Sequence, residues 1–160
     1  MPSGKAHARD SIMLSVIVAP VALYATHDPL ASVAISVGCL AGIPLSPDLD
    51  LHVRTVAESL PIVGRVWQVI WFPYERAIPH RSWLSHFPIV GTIGRLAYLA
   101  TVVWLVCHVI VSPPLSWLYI AESMYASPVA LYAIGGLLIS DSYHFLRDTL
   151  STKGKRKWKQ

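Results

Sequence analysis

Four separate stretches of this chain carry histidine and aspartate in spacings that can do chemistry. His7 and Asp10 stand three apart, which puts both on one face if the stretch is helical. Asp48-Leu49-Asp50 offers two carboxylates directly after Pro44 and Pro47, and the prolines argue for an extended segment. His80 and His86 bracket Arg81-Ser82-Trp83-Leu84-Ser85, which reads as a loop leading into a helix. Asp141, His144 and Asp148 fall at i, i+3 and i+7, a single helical stripe. Neutral imidazole and carboxylate are the ligands expected for zinc, manganese or iron, and a mixed set can hold more than one ion. Such a centre keeps a position open for water, acidifies it and readies it for hydrolysis. A spare carboxylate can serve as general base. Each group alone is ordinary: a His-x-x-x-Asp pair is usually an exposed polar pair, and Asp-x-Asp after proline is usually a turn or a cap. Their meaning rests on whether the fold gathers them.

The elements that must position them are apolar helices. Of 160 residues, 54% are hydrophobic and only 14% charged, with a mean hydropathy of +0.50. A soluble domain carries roughly 25% charged residues, so lipid has to be part of this chain's solvent. Four apolar runs stand out, roughly 11–25, 29–45, 87–111 and 127–140. A helix needs about 20 apolar residues to cross hydrocarbon, so the first and fourth runs require flanking residues to complete them. The expected fold is all-α: a polytopic membrane protein of about four transmembrane helices, forming one domain over residues 1–160. Lys5 and Arg9 give the first run the layout of a signal peptide, but Leu23-Tyr24-Ala25 supplies no small-x-small cleavage site, which favours a retained span.

Lysine and arginine set the orientation. Lys5 and Arg9 precede the first span; Arg54, Arg65, Arg76 and Arg81 lie in the long loop 46–86; and Lys153, Lys155, Arg156, Lys157 and Lys159 lie in the tail 151–160. The connections Thr26–Asp28 and Ser112–Ala126 contain neither residue. Four spans with both termini and the long loop in the cytoplasm satisfy this pattern, as in a bacterial inner-type membrane. Within the long loop, Ser59-Leu60-Pro61 reads as a helix start. Ile62–Phe72 reads as an interfacial helix, with Trp67, Trp71 and Trp83 at headgroup level.

This orientation, drawn from the basic residues alone, brings all four His/Asp groups to the cytoplasmic face. It puts His27 and His108 on the opposite side and leaves His52 ambiguous. Arg95 lies nine positions past His86, about 13 Å along a helix, where a charge must snorkel or pair. Either it reaches back to the interface, or it or Arg81 binds a substrate phosphate or a site carboxylate. Cys39 and Cys107 sit in apolar runs without a CxxC and read as small buried side chains. The net charge of +4 lies at the ends of apolar runs and in the tail, so the expected partner is anionic lipid headgroups and not nucleic acid. No protein partner is indicated.

Several motifs carry a family resemblance. They are Pro2-Ser3-Gly4-Lys5-Ala6-His7, Ser46-Pro47-Asp48-Leu49-Asp50, Pro79-His80-Arg81-Ser82-Trp83-Leu84-Ser85-His86 and Asp141-Ser142-Tyr143-His144-Phe145-Leu146-Arg147-Asp148-Thr149-Leu150. In order along nearly the whole chain, they resemble a family of metal-binding integral membrane proteins of unknown function. That family is similar to membrane-bound metal-dependent hydrolases, distantly related to zinc-dependent phospholipase C. The resemblance implies metal-ligand roles for His7, Asp48, Asp50, His80, His86, His144 and Asp148, with Asp10 and Asp141 supporting them. Zinc is the first expectation, with manganese or iron next. The expected activity is hydrolysis of a phosphoester or lipid, with Asp48, Asp50 and Arg81 as the catalytic candidates. The chain departs from the hydrolase pattern in two motifs. Leu51 stands where Asp-x-Asp is followed by His, and the loop histidines are six apart instead of five, with Ser82 and Ser85 for Gly and Thr. A non-catalytic, metal-stabilised membrane scaffold is the alternative. An ion transporter is the weakest reading, since transport sites lie near the bilayer midplane.

Overall fold

The fold is known from a computed structural model. It describes residues 4–50, 61–79, 82–110 and 116–157, with the backbone alone at 50, 83 and 152–157. Every regular element among the described residues is helical. In chain order these are α1 (Gly4–Thr26), α2 (Pro29–Ala41), a 3-10 turn (Pro47–Asp50), α3 (Val63–Ala77), α4 (Trp83–His86), α5 (Pro88–Ile110), α6 (Trp117–Ala126) and α7 (Pro128–Lys157).

Three of them, α1, α5 and α7 as far as Ser151, are long and apolar enough to cross a membrane. The expected second span falls short. Helix α2 has 13 residues, about 20 Å, against a hydrocarbon core of about 30 Å, and the chain leaves it through turns at Gly42–Leu45. Asp28 starts α2, its carboxylate accepting the Leu30 N–H at 2.8 Å with Pro29 in the first turn. Helix α1 begins well before the first apolar run, so His7 and Asp10 lie on the helix itself. Its buried side is the stripe His7, Ser11, Ser15 and Ala22, with Asp10 beside it.

Helix α2 packs between α1 and α7, and α5 packs on the other side of α7. The α2–α7 seam is close because glycines face backbone across it. A Cβ at Gly136 would stand 2.0 Å from the Ile35 carbonyl oxygen, and one at Gly38 2.0 Å from that of Ala133. Small residues at such crossings let apolar helices gain dispersion contact without polar glue. Hydroxyls stitch the rest: Ser32 donates to Ala19 O (2.7 Å), Ser36 to Ser15 O (3.1 Å), and Ser11 and Ser140 share a hydrogen bond of 2.9 Å. The Cys39 thiol is buried and donates to Gly136 O at 3.2 Å, whereas Cys107 is only half-buried.

Helix α3 is longer than expected and continues through Pro73 to Ala77; Ser59 and Leu60 lie outside the described residues. Trp71 is not a headgroup anchor. With Tyr74 it is buried in a core with Leu45, Leu49 and Leu137, and Tyr98 packs against both rings. Trp67 is half-buried and donates Nε1–H to Pro44 O at 3.1 Å; the Trp83 side chain lies outside the described residues. The opposite face of α3 leaves Val63, Val66, Val69 and Phe72 exposed.

Two elements differ in kind from the sequence expectation. Trp117–Ala126, expected as connection, is helix α6, capped by Ser116 Oγ accepting the Tyr119 N–H at 3.0 Å. The fourth apolar run does not end near Ser140. It continues as one helix to Lys157, so the polar stripe and much of the basic tail extend the same helical rod.

Candidate metal centre

Five of the seven expected ligands meet in one cluster built from four elements. His7 comes from the first turns of α1, Asp48 from the 3-10 turn, His86 from the end of α4, and His144 and Asp148 from α7. Two sets of three have ligand atoms mutually within 4.8 Å: His7, Asp48 and His144, and His86, His144 and Asp148. His144 belongs to both. An imidazole Nε2 has a single lone pair and serves one ion at a time, so the two sets are overlapping views of one cluster.

Local structure aims these groups. The Asp48 segment is not extended, as Pro44 and Pro47 led us to expect. Ser46 caps a 3-10 turn, its hydroxyl accepting the Asp48 N–H at 3.2 Å and its carbonyl the Leu49 N–H at 3.1 Å, with Pro47 supplying a preset φ. That turn buries Leu49 in the core and presents Asp48 to the histidines. On α7 the i, i+4 spacing stacks His144 over Asp148.

Three of the four His–Asp distances are too long for direct hydrogen bonds, and only His7 is within reach of one. His144 Nε2 lies 3.6 Å from Asp48 Oδ1 and 3.8 Å from Asp148 Oδ2. His86 Nε2 lies 3.9 Å from Asp48 Oδ1, and His7 Nε2 3.2 Å from Asp148 Oδ1. Two donors, each about 2.1 Å from a zinc ion, stand about 3.0–3.6 Å apart for bond angles of 90–120°; the His7–Asp148 and His144–Asp48 pairs lie in that range, and the other two pairs are slightly wider. The His7 and His144 rings stack with centroids 3.8 Å apart. Both His144 Nε2 and His7 Nδ1 are buried without a hydrogen-bond partner among the described residues, which is costly for a polar atom unless something is bound there. Burial pushes the Asp48 carboxyl up, but the nearby histidines, His144 first and then His7 and His86, outweigh it and hold it below the usual carboxylate range. Asp48 is therefore held in the ionised form a cation needs.

A second ionic group supports the first. Arg95 does not reach back to the interface. It is 1% exposed and pairs with Asp141, itself 1% exposed, while Thr92 Oγ1 contacts the same carboxylate oxygen. Arg95 also donates to Ser85 O at 2.9 Å. Asp10 pairs with Arg147, tying α1 to α7 beside the cluster. The carboxylate that takes Arg95 is thus Asp141, one turn before His144.

The expected ligand His80, the catalytic candidate Arg81 and the ambiguous His52 lie outside the described residues, as does the side chain of Asp50. His27, exposed at positive φ in the α1–α2 turn, and His108, exposed near the end of α5, take no part in either ligand set. Sequence reasoning gave no role to Ser85, Thr92 or Arg147. The signal for Arg147 was present in its spacing, three residues after His144 on the stripe. Serine and threonine near a helix start carry no comparable signal.

Comparison with known proteins points to metal binding by the family, without naming ligands. A curated protein of Aquifex aeolicus (strain VF5), described as an uncharacterized protein, is 36% identical over 55 residues, which is 34% of this chain and 36% of that one. No solved structure matches. The family model described as uncharacterized metal-binding protein (DUF2227) matches residues 2–158, and with nearly its whole length matched the chain belongs to that family.

Proposed function

We propose that this chain is an integral membrane protein that binds a divalent metal ion, zinc first and manganese or iron next, in its His/Asp cluster, and uses it to hydrolyse a phosphoester or lipid. The observation that carries the metal reading is the convergence of His7, Asp48, His86, His144 and Asp148 from four elements. With the imidazoles neutral, as ligation requires, the cluster carries the two negative charges of its carboxylates in a largely buried space, and a divalent cation balances them. A bound ion supplies Lewis acidity and makes a nearby water a better nucleophile. Asp48, partly exposed and held ionised, is placed to accept a proton from water if it is not itself engaged by the ion. Asp50 is the other base candidate, and Arg81 the candidate for a substrate phosphate. The proposed similarity to membrane-bound hydrolases, distantly to zinc-dependent phospholipase C, rests on the motif resemblance.

In the same proposal both termini and the cluster face the cytoplasm. Helix α2 and the turns up to Leu45 complete a fourth, short crossing, and the basic end of α7 with the tail binds anionic headgroups at about 1 kcal/mol per basic residue. The lysine and arginine distribution supports this orientation. Metal analysis of the purified protein, after reconstitution with zinc and with manganese, is the test. About one equivalent is expected, and less than about half an equivalent removes the metal reading.

One observation favours a second, non-catalytic reading. The ligands come from four elements, so an ion there stitches those elements together as structural zinc does. Asp48→Asn and His86→Ala separate the two. If both lose folding along with metal, the ion is structural. If folding survives and turnover of a test phosphoester vanishes, the protein is an enzyme.

A further inference from the structure

We propose that the cavity between α3, α4 and α5 takes one acyl chain of a membrane phospholipid, which makes a lipid, and not a water-soluble phosphoester, the substrate of the metal centre. The inference rests on the membrane, metal and hydrolase reading above and adds the class of substrate.

The cavity has a volume of about 420 Å³, and its lining includes Ala77 and Ile78 at the end of α3, Leu84 of α4, and Val90, Gly94 and Tyr98 of α5. Pockets of about 300–1,000 Å³ hold small molecules. This one is almost wholly apolar, and the Tyr98 hydroxyl is already engaged, donating to Ile70 O. Val90, Gly94 and Tyr98 fall at i, i+4 and i+8, a stripe about 12 Å long in the first half of the α5 span. One leaflet supplies about 15 Å of hydrocarbon, half of a core about 30 Å thick. The cavity therefore has the polarity and the length to hold a stretch of acyl chain lying along one leaflet. A glycine keeps it open. Gly94 is exposed, and a Cβ added there would meet nothing packed against it within 4 Å. Glycine inside a helix costs stability relative to alanine. At Gly91, one turn earlier, a close neighbour accounts for it, since a Cβ there would stand 2.2 Å from Ser85 O. Gly94 has no such neighbour, and what it leaves is room between Val90 and Tyr98.

The cavity adjoins the metal centre through its walls. Leu84 and His86 stand two residues apart on α4, about 200° around the helix, so they leave it on nearly opposite sides. His86 faces Asp48, and Leu84 lines the cavity. Helix α4 is a single turn about 6 Å long, and both it and α3 pack on the 3-10 turn that carries Asp48. Arg95, next to Gly94, donates to Ser85 O at 2.9 Å and so fixes α4 against α5. Leu84 is 53% exposed, so the mouth of the cavity is open beside the ligand-bearing turn. A phospholipid with a chain along Val90, Gly94 and Tyr98 carries its phosphoester at the α4 end of that stripe, the end from which His86 is presented. A water-soluble phosphoester has no part that fills this space.

The test is photolabelling of the full-length protein in phosphatidylcholine vesicles doped with phosphatidylglycerol that carries a diazirine midway along one acyl chain, with cross-links mapped by peptide mass spectrometry. The expected result is stronger labelling of the half-buried Tyr98 than of Val103, which is 45% exposed further along α5 and reports the surrounding lipid. In Gly94→Leu the added side chain occupies the cavity, and labelling of Tyr98 is expected to fall by at least about 10-fold, with labelling of Val103 unchanged. Turnover of phosphatidylglycerol by the zinc-loaded protein is expected to fall with it. Equal labelling of Tyr98 in the two proteins overturns the proposal, as does a wild type in which Tyr98 is labelled less than Val103. A wild type that hydrolyses para-nitrophenyl phosphate and not phosphatidylglycerol overturns it too. Gly94→Leu replaces a poor helix former by a good one; should it fail to fold, Tyr98 against Val103 in the wild type decides. Should the protein bind no zinc or hydrolyse neither compound, the metal or hydrolase reading fails, while the labelling still decides whether the cavity takes an acyl chain.

Discussion

At Asp141, α7 meets an arginine; one turn further on, at His144 and Asp148, it meets histidines and a second aspartate from the 3-10 turn. Both clusters are buried, yet they balance charge in different ways. Arg95 gives Asp141 a counter-charge of fixed sign, because the guanidinium does not lose its proton. That pair balances its own charge, although Arg95 Nε and Asp141 Oδ1 have no hydrogen-bond partner among the described residues. At the neighbouring cluster an imidazole can neutralise a carboxylate only by taking up a proton, and a protonated imidazole is no longer a ligand. A divalent cation balances both carboxylates without protons and also satisfies the buried nitrogen of His144. The difference teaches that burial of charge alone does not mark a metal site; the identity of the counter-charge does.

The largest effect is expected from breaking the Arg95–Asp141 pair. Arg95→Met leaves Asp141 buried without its cation and is expected to destabilise the fold by about 3–5 kcal/mol, read as the unfolding midpoint in detergent. Adding Asp141→Leu is expected to recover most of that loss, since replacing both partners by apolar groups is often neutral. If the double variant stays as unstable as the single one, the pair does more than balance charge.

The other cluster should behave in the opposite manner. His144→Ala removes the residue common to both ligand sets and is expected to lower metal affinity by at least about 100-fold, roughly 2.7 kcal/mol. Helix content in the metal-free protein should remain, and His27→Ala and His108→Ala should leave metal binding unchanged. Isothermal titration with zinc checks all three. A metal-free His144→Ala protein that fails to fold would erase the distinction between the clusters.

Both clusters depend on α7 keeping its register against α2. Gly136→Ala places a methyl against the Ile35 carbonyl and is expected to cost about 1–3 kcal/mol, with metal affinity falling as the helices part. Denaturant unfolding and zinc titration on the same sample read the two effects together.

The smallest effect concerns protons. Because Asp48 is held below the usual carboxylate range when folded, the folded chain binds that proton less readily than the unfolded one. Its contribution to stability is therefore complete above the ordinary carboxylate value and is lost as pH falls through the lowered one. The metal-free protein should lose stability below about pH 4, and Asp48→Asn should flatten that slope. Thermal melts from pH 6 to pH 3, an interval of about 3 units, measure it.

Much of the ligand set could be read before any fold was known. The spacing of Asp141, His144 and Asp148 requires one stripe on a helix, and the basic residues place the other His/Asp groups at the same ends. The 3-10 turn at Asp48 was harder to read, because two prolines suit an extended segment as well as a capped turn; the Ser46 cap decided between them. Arg95 was ambiguous for a different reason. Position along a helix gives depth but not the facing partner, and Asp141 comes from 46 residues further along the chain. Helix α6 and the full length of α7 escaped because apolar runs mark where hydrocarbon ends, while a helix continues as long as its backbone hydrogen bonds do.

The sequence by itself determined an apolar, helical chain with four His/Asp groups in ligand spacing, because composition and periodicity are properties of the chain. Only the tertiary structure decided which carboxylates receive arginines and which receive histidines. That choice depends on how closely glycine-lined helices approach and how they are rotated, and so on contacts between residues far apart in sequence.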